Sequence, residues 1–282
     1  MGININGKAI ADEYLLKLKN EIDEYKKNGQ QITLAVLQVG DSSASTAYVE
    51  RNAKSCNKVG IETEFVHLDK EVTTLDVVNA VKNLNNNPKI NGIIVQLPLP
   101  KGVEQAVVTE AILPNKDVDG LTQANAGALY LGKKGFVPNT PMGVMTLLKL
   151  SGIEICGKRA VVIGRSNIVG KPMAMLLLQE NATVTVCHSK TAEIAKVCSE
   201  ADIIVCAIGK AHFLTADMVK EGAVIMDVGT NFINGKMTGD VDYENVVDKA
   251  SYITPVPGGC GPMTVCMLIE NTLRAAKLQN IK

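Results

Sequence analysis

The stretch AVVIGRSNIVGKP at residues 160–172 places glycine, hydroxyl and basic residues in an order that could bind a phosphate. An apolar run ends at Gly164, and Gly170 and Lys171 lead into MAMLLLQ, a run of good helix formers. Such a strand, turn and helix begin a dinucleotide-binding fold, in which the helix N-terminus offers free N–H groups to the pyrophosphate. The spacing departs from G-x-G-x-x-G, because Ser166 replaces the second glycine and one extra residue precedes the last. An ordinary strand-to-helix turn would carry the same elements.

The end of the next predicted strand indicates which nicotinamide nucleotide this turn would favour. The segment VCHSKT at 186–191 has no acidic residue, whereas an NAD site usually places Asp or Glu there to bond the ribose hydroxyls. Ser189 and Lys190, with Arg165 from the first turn, would instead suit a 2′-phosphate that an acid would repel. The sequence therefore favours NADP over NAD.

Two groups of polar residues in the first half of the chain are further candidates for ligand contacts. Gln96 ends a strand predicted over 92–97, and ligands of parallel α/β sheets bind beyond the carboxyl ends of strands. A surface position beside the following proline turn would explain Gln96 equally well. The loop PNKDVDG at 114–120 contains Asp117 and Asp119, although an acidic loop is commonly only solvated.

The elements that must position these residues alternate between strands and helices. The first half is predicted as helix 7–27, strand 32–39, helix 45–59, strand 61–68, helix 74–84, strand 92–97 and helix 103–113. The second half is predicted as helix 143–152, strand 160–163, helix 171–180, strand 182–187, helix 191–199, strand 202–207, helix 215–220, strand 223–228, strand 252–253 and helix 263–278. This alternation predicts mostly parallel sheets with helices on both faces.

Two stretches rich in glycine and proline are predicted to be irregular. Residues 121–142 would form the connection into a second domain. Residues 255–262, PVPGGCGP, should be neither helix nor central strand, and their backbone could either approach a ligand closely or form a rigid turn.

Composition limits the class of protein. The 282 residues suit two domains, and 29 basic against 29 acidic residues give no global field to attract nucleic acid or an anionic membrane. There is no apolar run of about 18 residues and no secretory h-region, so we expect a cytoplasmic protein. Seven scattered cysteines without a C-x-x-C pair predict reduced thiols, and three distant histidines predict no metal site.

Several segments together resemble the methylenetetrahydrofolate dehydrogenase/methenyltetrahydrofolate cyclohydrolase family. They are TAYV at 46–49, GIIVQLPLP at 92–100, DVDG at 117–120, PNTPMG at 138–143, GRSNIVGKP at 164–172, DVG at 227–229, GDV at 239–241 and TPVPGGCGPMT at 254–264. The resemblance covers nearly the whole chain.

The resemblance implies two α/β domains, the second a Rossmann-like doubly wound parallel sheet, with the active site in the cleft between them. The folate-binding catalytic domain would span 1–140 and be joined by the C-terminal helix at 264–282. The NADP-binding domain would span 141–263. Members of the family are usually homodimers, so a homodimer is expected here.

The resemblance also implies a reaction, NADP-dependent oxidation of methylenetetrahydrofolate to the methenyl form in one-carbon metabolism, which supplies purine biosynthesis. The family's second activity hydrolyses methenyl- to formyltetrahydrofolate. By position, the residues similar to NADP contacts are Gly164, Arg165, Ser166, Ser189 and Thr230. Those similar to folate-site residues are Tyr48, Gln96 and Asp119, with Asp119 on the pterin ring, and Pro257, Gly258 and Gly259 in a loop lining the same site.

One departure from the family pattern bears on the second activity. The family has Tyr-Val-x-x-Lys-x-Lys, whereas this chain has Asn52 where the first Lys stands, four residues after Tyr48. Arg51 and Lys54 lie roughly 100° and 200° around the helix from that position, so neither can replace it. Because Asn does not exchange protons near neutral pH, we expect the cyclohydrolase step to be weak or absent. Asn139, where the family often has Cys, and Cys260, where Val is common, are lesser departures.

Two alternatives remain at this stage. A two-domain oxidoreductase for a hydroxy or amino acid would usually need a His or Lys base and an Arg for the carboxylate, and no histidine lies at a recognisable catalytic turn. A non-catalytic nucleotide- or folate-binding regulator derived from the family would explain the loss of the Lys at position 52. Retention of Tyr48, Gln96 and Asp119 argues against the regulator.

Overall fold

The computed structural model describes residues 2–40 and 43–280, without the side chains of residues 43–45, 47 and 48. The strands are β1 (Ile3–Asn4), β2 (Thr33–Val39), β3 (Glu62–Leu68), β4 (Gly92–Val95), β5 (Arg159–Ile163), β6 (Thr183–Cys187), β7 (Ile203–Cys206), β8 (Val224–Asp227), β9 (Asn231–Ile233), β10 (Lys236–Thr238) and β11 (Tyr252–Ile253). The helices are α1 (Gly7–Lys27), α2 (Ser43–Val59), α3 (Thr74–Asn86), α4 (Gln105–Glu110), α5 (Gln123–Tyr130), α6 (Asn139–Leu150), α7 (Gly170–Gln179), α8 (Ile194–Ser199), α9 (Tyr243–Val246) and α10 (Cys260–Gln279).

The chain divides into two compact units, each built on its own parallel sheet. The three-stranded unit comprises Tyr14–Asn139 and the C-terminal segment from Met267. The six-stranded unit comprises the segment up to Glu13 and Thr140–Cys266. These boundaries differ from the expected domain limits at the N-terminus, because β1 pairs in parallel with β11 and so joins the six-stranded sheet. A strand of two residues carries no periodicity from which the pairing could be predicted.

The sheet of the three-stranded unit has the order β3-β2-β4, with all strands parallel. Every residue of the central strand β2 is buried, as expected for a strand covered on both faces. The segment before Asp119 continues the sheet beside β4, because Ile93 forms a parallel bridge with Asp117 and its N–H donates to the Lys116 carbonyl at 2.7 Å. The carboxyl ends of β4 and of this segment therefore lie at the same edge of the sheet.

The sheet of the six-stranded unit has the order β1-β11-β8-β7-β5-β6, and every pair is parallel. Chain order along it reverses between β5 and β7, which makes their carboxyl ends a topological switch point of a doubly wound sheet. Buried aliphatic and cysteine side chains from these strands, together with side chains from the segments packed against them, form the core of this unit. The α/β fold class predicted from the sequence is confirmed.

Several elements differ from the sequence-based predictions. Helix α5 lies within the stretch 121–142 that was expected to be irregular, and Thr122 caps it by accepting from the Asn125 N–H. Helix α10 begins at Cys260, inside the proline-rich stretch, because Pro262 occupies the first turn, where no N–H is needed. The helix expected at 215–220 is only a 3₁₀ turn over Ala216–Met218. None of the helices in the described ranges is long and apolar enough to cross a membrane.

Candidate functional site

The turn between β5 and α7 requires glycine at two positions. Gly164 has φ +131, and a Cβ there would overlap the carbonyl oxygen of Ala207, which follows β7. A Cβ on Gly170, the first residue of α7, would overlap the carbonyl of Gly164. The two glycines therefore bring the turn, the helix and the end of β7 closer than any larger residue would allow. This is the backbone approach that a dinucleotide phosphate needs at a switch point.

Ser166 shapes the same turn. Its Oγ accepts from the Val169 N–H at 3.1 Å and the Gly170 N–H at 3.4 Å, and its carbonyl accepts from the Lys171 N–H at 3.0 Å. Ser166 thus caps the start of the helix by accepting from its free N–H groups. Among the described residues its hydroxyl proton has no acceptor, so it can donate to a ligand. The side chains of Arg165 and Ser166 are exposed at this helix N-terminus, where the helix dipole favours an anion.

Ser189 lies at the neighbouring strand end. The Gly164 N–H donates to the Cys187 carbonyl at 2.8 Å, so the ends of β5 and β6 are joined. A tight turn follows, because Thr191 Oγ1 accepts from the His188 N–H at 2.9 Å and the Thr191 N–H donates to the His188 carbonyl. Ser189 is exposed on this turn. Arg165 and Ser189 therefore project from adjacent strand ends, as a site for a 2′-phosphate requires.

Two buried carboxylates hold the loops that follow β7 and β8. Asp227, the last residue of β8, accepts from the N–H groups of Gly229, Asp240 and Val241 at 2.9–3.0 Å. Burial, with a smaller contribution from the charge of Asp240, raises the pKa of Asp227 to about 6 although these N–H donors oppose the shift. In the sequence, the two carboxylates stand out only as parts of the DVG and GDV segments. The glycines of these segments pack against the carboxylates, because a Cβ on Gly229 would overlap Asp240 and one on Gly239 would overlap Asp227.

Asp240 takes four hydrogen bonds. Its carboxylate accepts from the backbone N–H groups of Ile208, Gly209 and Lys210 at 2.7, 3.0 and 2.8 Å, and from Asn231 Nδ2 at 2.9 Å. Thr230, the remaining expected NADP contact, is exposed. It lies between Gly229, which donates to Asp227, and Asn231, which donates to Asp240. Sequence reasoning missed Asp227 and Asp240 as functional residues, because hydrogen bonds to backbone N–H groups leave no spacing signal.

The loop at residues 257–259 also belongs to the six-stranded unit. The Gly258 carbonyl accepts from the Lys8 N–H at 2.9 Å, and Gly258 has φ +102. Gly259 is buried and Pro257 is exposed. The start of α1 therefore supports this loop, and the backbone there follows a path that favours glycine.

In the three-stranded unit, Gln96 and Asp119 follow neighbouring parallel segments. The Gln96 N–H continues the sheet by donating to the Leu37 carbonyl at 2.8 Å, and its half-buried side chain donates to the Leu97 carbonyl at 2.7 Å. A small cavity at this edge is lined by Val95, Leu97 and Asp119 among others. The structure thus brings two of the expected folate-site residues to one edge of one sheet.

Asp119 is an unusual carboxyl group. Its Oδ1 accepts from Asn139 Nδ2 at 2.7 Å. Burial and, to a smaller degree, the nearby charge of Asp117 raise the pKa of Asp119 to about 7, while the hydrogen bond from Asn139 lowers it. Asp117 stabilises the loop, because its carboxylate accepts from the N–H groups of Leu121 and Thr122. A carboxyl group with a pKa this far from normal is typical of a functional site.

Helix α2 carries the remaining candidates. The side chain of Tyr48 lies outside the described residues. Asn52 is 1% exposed, and within the described part of the chain its Oδ1 has no hydrogen-bond partner. Arg51 and Lys54 are both exposed. These exposures agree with the argument that neither basic residue occupies the face of α2 on which Asn52 lies.

Comparison with known proteins identifies the class. Residues 5–119 match the catalytic domain of tetrahydrofolate dehydrogenase/cyclohydrolase, and residues 138–280 match the NAD(P)-binding domain of the same family. The bifunctional protein FolD of Clostridium novyi is 49% identical over 278 residues, which cover 98% of this chain and 100% of the relative. The chain belongs to the tetrahydrofolate dehydrogenase/cyclohydrolase family.

Solved structures agree over the full length. The FolD dehydrogenase/cyclohydrolase of Campylobacter jejuni is 46% identical with a TM-score of 0.97, and the match covers 99% of each chain. The methylenetetrahydrofolate dehydrogenase-cyclohydrolase of Trypanosoma brucei, solved with NADP and an inhibitor, is 37% identical with a TM-score of 0.94, covering 100% of this chain and 99% of that one. The resemblance inferred from the sequence is confirmed.

Proposed function

We propose that this chain oxidises methylenetetrahydrofolate to methenyltetrahydrofolate with NADP, and that it hydrolyses the methenyl product weakly or not at all. One observation carries the choice of nucleotide: the close-packed turn at Gly164 lies beside a β6 end that presents Ser189 and no acid. The Trypanosoma brucei relative, solved with NADP, supports the same choice. Arg165, exposed at the N-terminus of α7, would supply the positive charge for the 2′-phosphate.

The dehydrogenase step depends on positioning. NADP, when bound, accepts the hydride, so the protein needs no acid or base at the carbon that loses it. The residues of this chain orient the two partners: Gly164 and Ser166 shape the phosphate turn, while Gln96 and Asp119 present an amide and a carboxyl group at the folate-side sheet edge. The ionised form of Asp119 can accept from the N–H groups of an amino-pyrimidine edge. Such orientation is itself a large catalytic effect.

The hydrolytic step needs a group that can exchange a proton with water. Asn52 occupies the buried position on α2 where the family has Lys, and an amide does not titrate near neutral pH. Arg51 and Lys54 are exposed, so their side chains are displaced around the helix from that position. We therefore expect methenyltetrahydrofolate to accumulate as the product.

Two absorbance assays test the proposal. Protein with methylenetetrahydrofolate and either NADP or NAD should form methenyltetrahydrofolate faster with NADP. Protein with methenyltetrahydrofolate alone should hydrolyse it no faster than buffer does. Rapid hydrolysis in the second assay would refute the assignment to Asn52, and inactivity in the first would favour a nucleotide- or folate-binding regulator instead.

The Asn52→Lys variant tests the same residue directly. It should gain methenyl hydrolysis while it keeps NADP-linked oxidation, because it restores a titratable amine on the face of α2 that Asn52 occupies. Asn57→Lys is the matched control, since Asn57 lies on the same helix but is exposed. Gain of hydrolysis by both variants, or by neither, would contradict the explanation.

We further propose a homodimer that works in the cytoplasm and supplies one-carbon units to purine biosynthesis. The strand β6 supports a dimer, because it exposes Thr183, Thr185 and Val186 and is an edge strand of the sheet that the described residues form. Free thiols at every cysteine suit a reducing compartment. Sedimentation velocity tests the dimer: a Val186→Lys variant should sediment as a monomer, and a wild-type monomer would refute the proposal.

A further inference from the structure

Two buried asparagine side chains form a hydrogen-bonded chain that ends at the half-buried Asp119 within the three-stranded unit. Asn271 on α10 is 0% exposed, and its Nδ2 donates to Asn139 Oδ1 at 2.9 Å. Asn139, the first residue of α6, is 6% exposed, and its Nδ2 donates in turn to Asp119 Oδ1 at 2.7 Å. Sequence reasoning noted Asn139 only as a departure from a common Cys.

The direction of this chain follows from two backbone carbonyls. Asn271 Nδ2 also lies 3.0 Å from the Val118 carbonyl oxygen and 3.1 Å from the Val137 carbonyl oxygen. Carbonyl oxygens only accept, so Asn271 must present its NH₂ group on this side. Asn139 must then turn its oxygen toward Asn271 and its NH₂ group toward Asp119. The amide orientation of Asn139 is thus fixed by hydrogen-bond partners on both sides.

We infer that Asn139 is a positioning residue for folate: its oriented amide holds Asp119 as a carboxylate, in one orientation, for the N–H groups of an amino-pyrimidine edge. The inference rests on the proposed function. An NH₂ group can bond only to an acceptor, and both oxygens of an ionised carboxyl group are acceptors. Among the described residues, Asp119 Oδ2 has no hydrogen-bond partner, so it remains for the ligand.

At neutral pH the ionised and neutral forms of Asp119 are both populated, because its pKa is about 7. Within the described part of the chain, the charged group that acts on it is Asp117, which together with burial favours the neutral acid. Asn139 is the opposing contact and favours the ionised form. With the pKa of Asp119 at about 7, loss of this hydrogen bond would shift the population toward the acid, which presents fewer acceptor sites to the ligand.

The Asn139→Leu variant is the direct test. Leucine keeps the branched shape of asparagine without its polar atoms, although it is larger, and Asn271 Nδ2 keeps its two backbone acceptors. We would measure kcat/KM for methylenetetrahydrofolate at saturating NADP from pH 6.5 to 9.5. If the pKa of Asp119 rises by about one unit, kcat/KM at pH 7 should fall about fivefold and approach the wild-type value at pH 9.5. The loss should appear in KM for the folate rather than in kcat, with the Kd for NADP unchanged.

Other outcomes separate a positioning role from a structural one. An equal loss of kcat/KM at every pH, or none at any pH, would overturn the inference. In an Asp119→Asn background, which does not titrate, adding Asn139→Leu should leave the pH profile unchanged, and a shifted profile would also overturn it. Asn139→Cys provides a variant with a small, weakly donating side chain, for which the inference requires a smaller pKa shift in the same direction.

Calorimetry with folic acid distinguishes failure of the inference from failure of the proposed function. If the wild-type protein does not oxidise methylenetetrahydrofolate but binds folic acid, the proposed function fails while the pH dependence of Kd still tests Asn139. We then expect Asn139→Leu to weaken folic acid binding about fivefold at pH 7 and by less than twofold at pH 9.5. A wild-type protein that binds neither compound would overturn both.

Discussion

The carboxylate of Asp240 makes the sharpest prediction about stability. It is fully buried, with four donors on its two oxygens: the N–H groups of Ile208 and Gly209 on Oδ2, and the Lys210 N–H and Asn231 Nδ2 on Oδ1. Asp240→Asn keeps the shape of the side chain but replaces one acceptor oxygen with an NH₂ donor. In either orientation of the amide, its NH₂ group points at two hydrogen-bond donors, so two of the four hydrogen bonds are lost.

The magnitude follows from these contacts. A hydrogen bond to a charged group contributes about 1.5–3 kcal/mol, so two lost bonds cost about 3–6 kcal/mol. Removing the charge also relieves Asp227, whose pKa the negative charge of Asp240 raises. We therefore expect the lower end, about 3 kcal/mol, which for a protein of this size lowers Tm by about 5 °C.

Urea unfolding and nucleotide binding measure the two consequences. The loop at residues 208–210 follows β7 at the switch point, so Asp240→Asn should weaken NADP binding about tenfold through loss of a fixed loop. The control is Asp217→Asn, since Asp217 is exposed and accepts from the neighbouring Thr215 hydroxyl. If Asp240→Asn unfolds within about 0.5 kcal/mol of the control, the carboxylate does not hold these loops and the reasoning is wrong.

Two further substitutions test the site. Asp119→Asn removes a carboxyl group whose pKa in the folded state is about 7, above its ordinary value. The stability that Asp119 contributes is therefore present at low pH and is lost as pH rises through 7. Relative to wild type, this variant should gain unfolding free energy between pH 5 and pH 8 while folate binding weakens, and a difference independent of pH would contradict the assigned pKa. Gly164→Ala forces a Cβ onto the Ala207 carbonyl at φ +131, so calorimetry should find NADP binding lost; unchanged binding would show that the turn is not the phosphate site.

Sequence patterns predicted the elements whose signal is local and repeated. Apolar periodicity gave α1 at its observed bounds, and the alternation of strands and helices gave both parallel sheets. The missed elements are those fixed by single contacts. The β9–β10 hairpin turns at Asn234-Gly235, both with positive φ, which is a turn signal that could have been used. Pairing of β1 with β11 joins residues about 250 positions apart and leaves no local trace.

Candidate positions were easier to predict from the sequence than the contacts that give them their properties. A strand end and a motif predict Gln96 and Asp119 as candidates, and both residues lie at the same sheet edge. Nothing in the sequence indicated that Asn139 donates to Asp119, because that bond depends on the position of Asn139 beside the loop and on Asn271 far along the chain. The pKa of a carboxyl group is set by such three-dimensional neighbours.

We propose that Asn52 removes the hydrolytic activity of the family without disturbing the fold. A buried acceptor without a partner costs about 1–3 kcal/mol, so stability does not explain Asn52, whose Oδ1 accepts no hydrogen bond from the described residues. A leucine there would bury more favourably on α2, whereas an amide keeps a polar atom at the position that the family uses for chemistry. Gln96 and Asp119 belong to other elements of the chain, and in the proposed function hydride transfer depends on their positioning rather than on a titrating amine. Under the proposed function, a substitution at position 52 would act on proton transfer, and the two activities of the family would separate at a single residue.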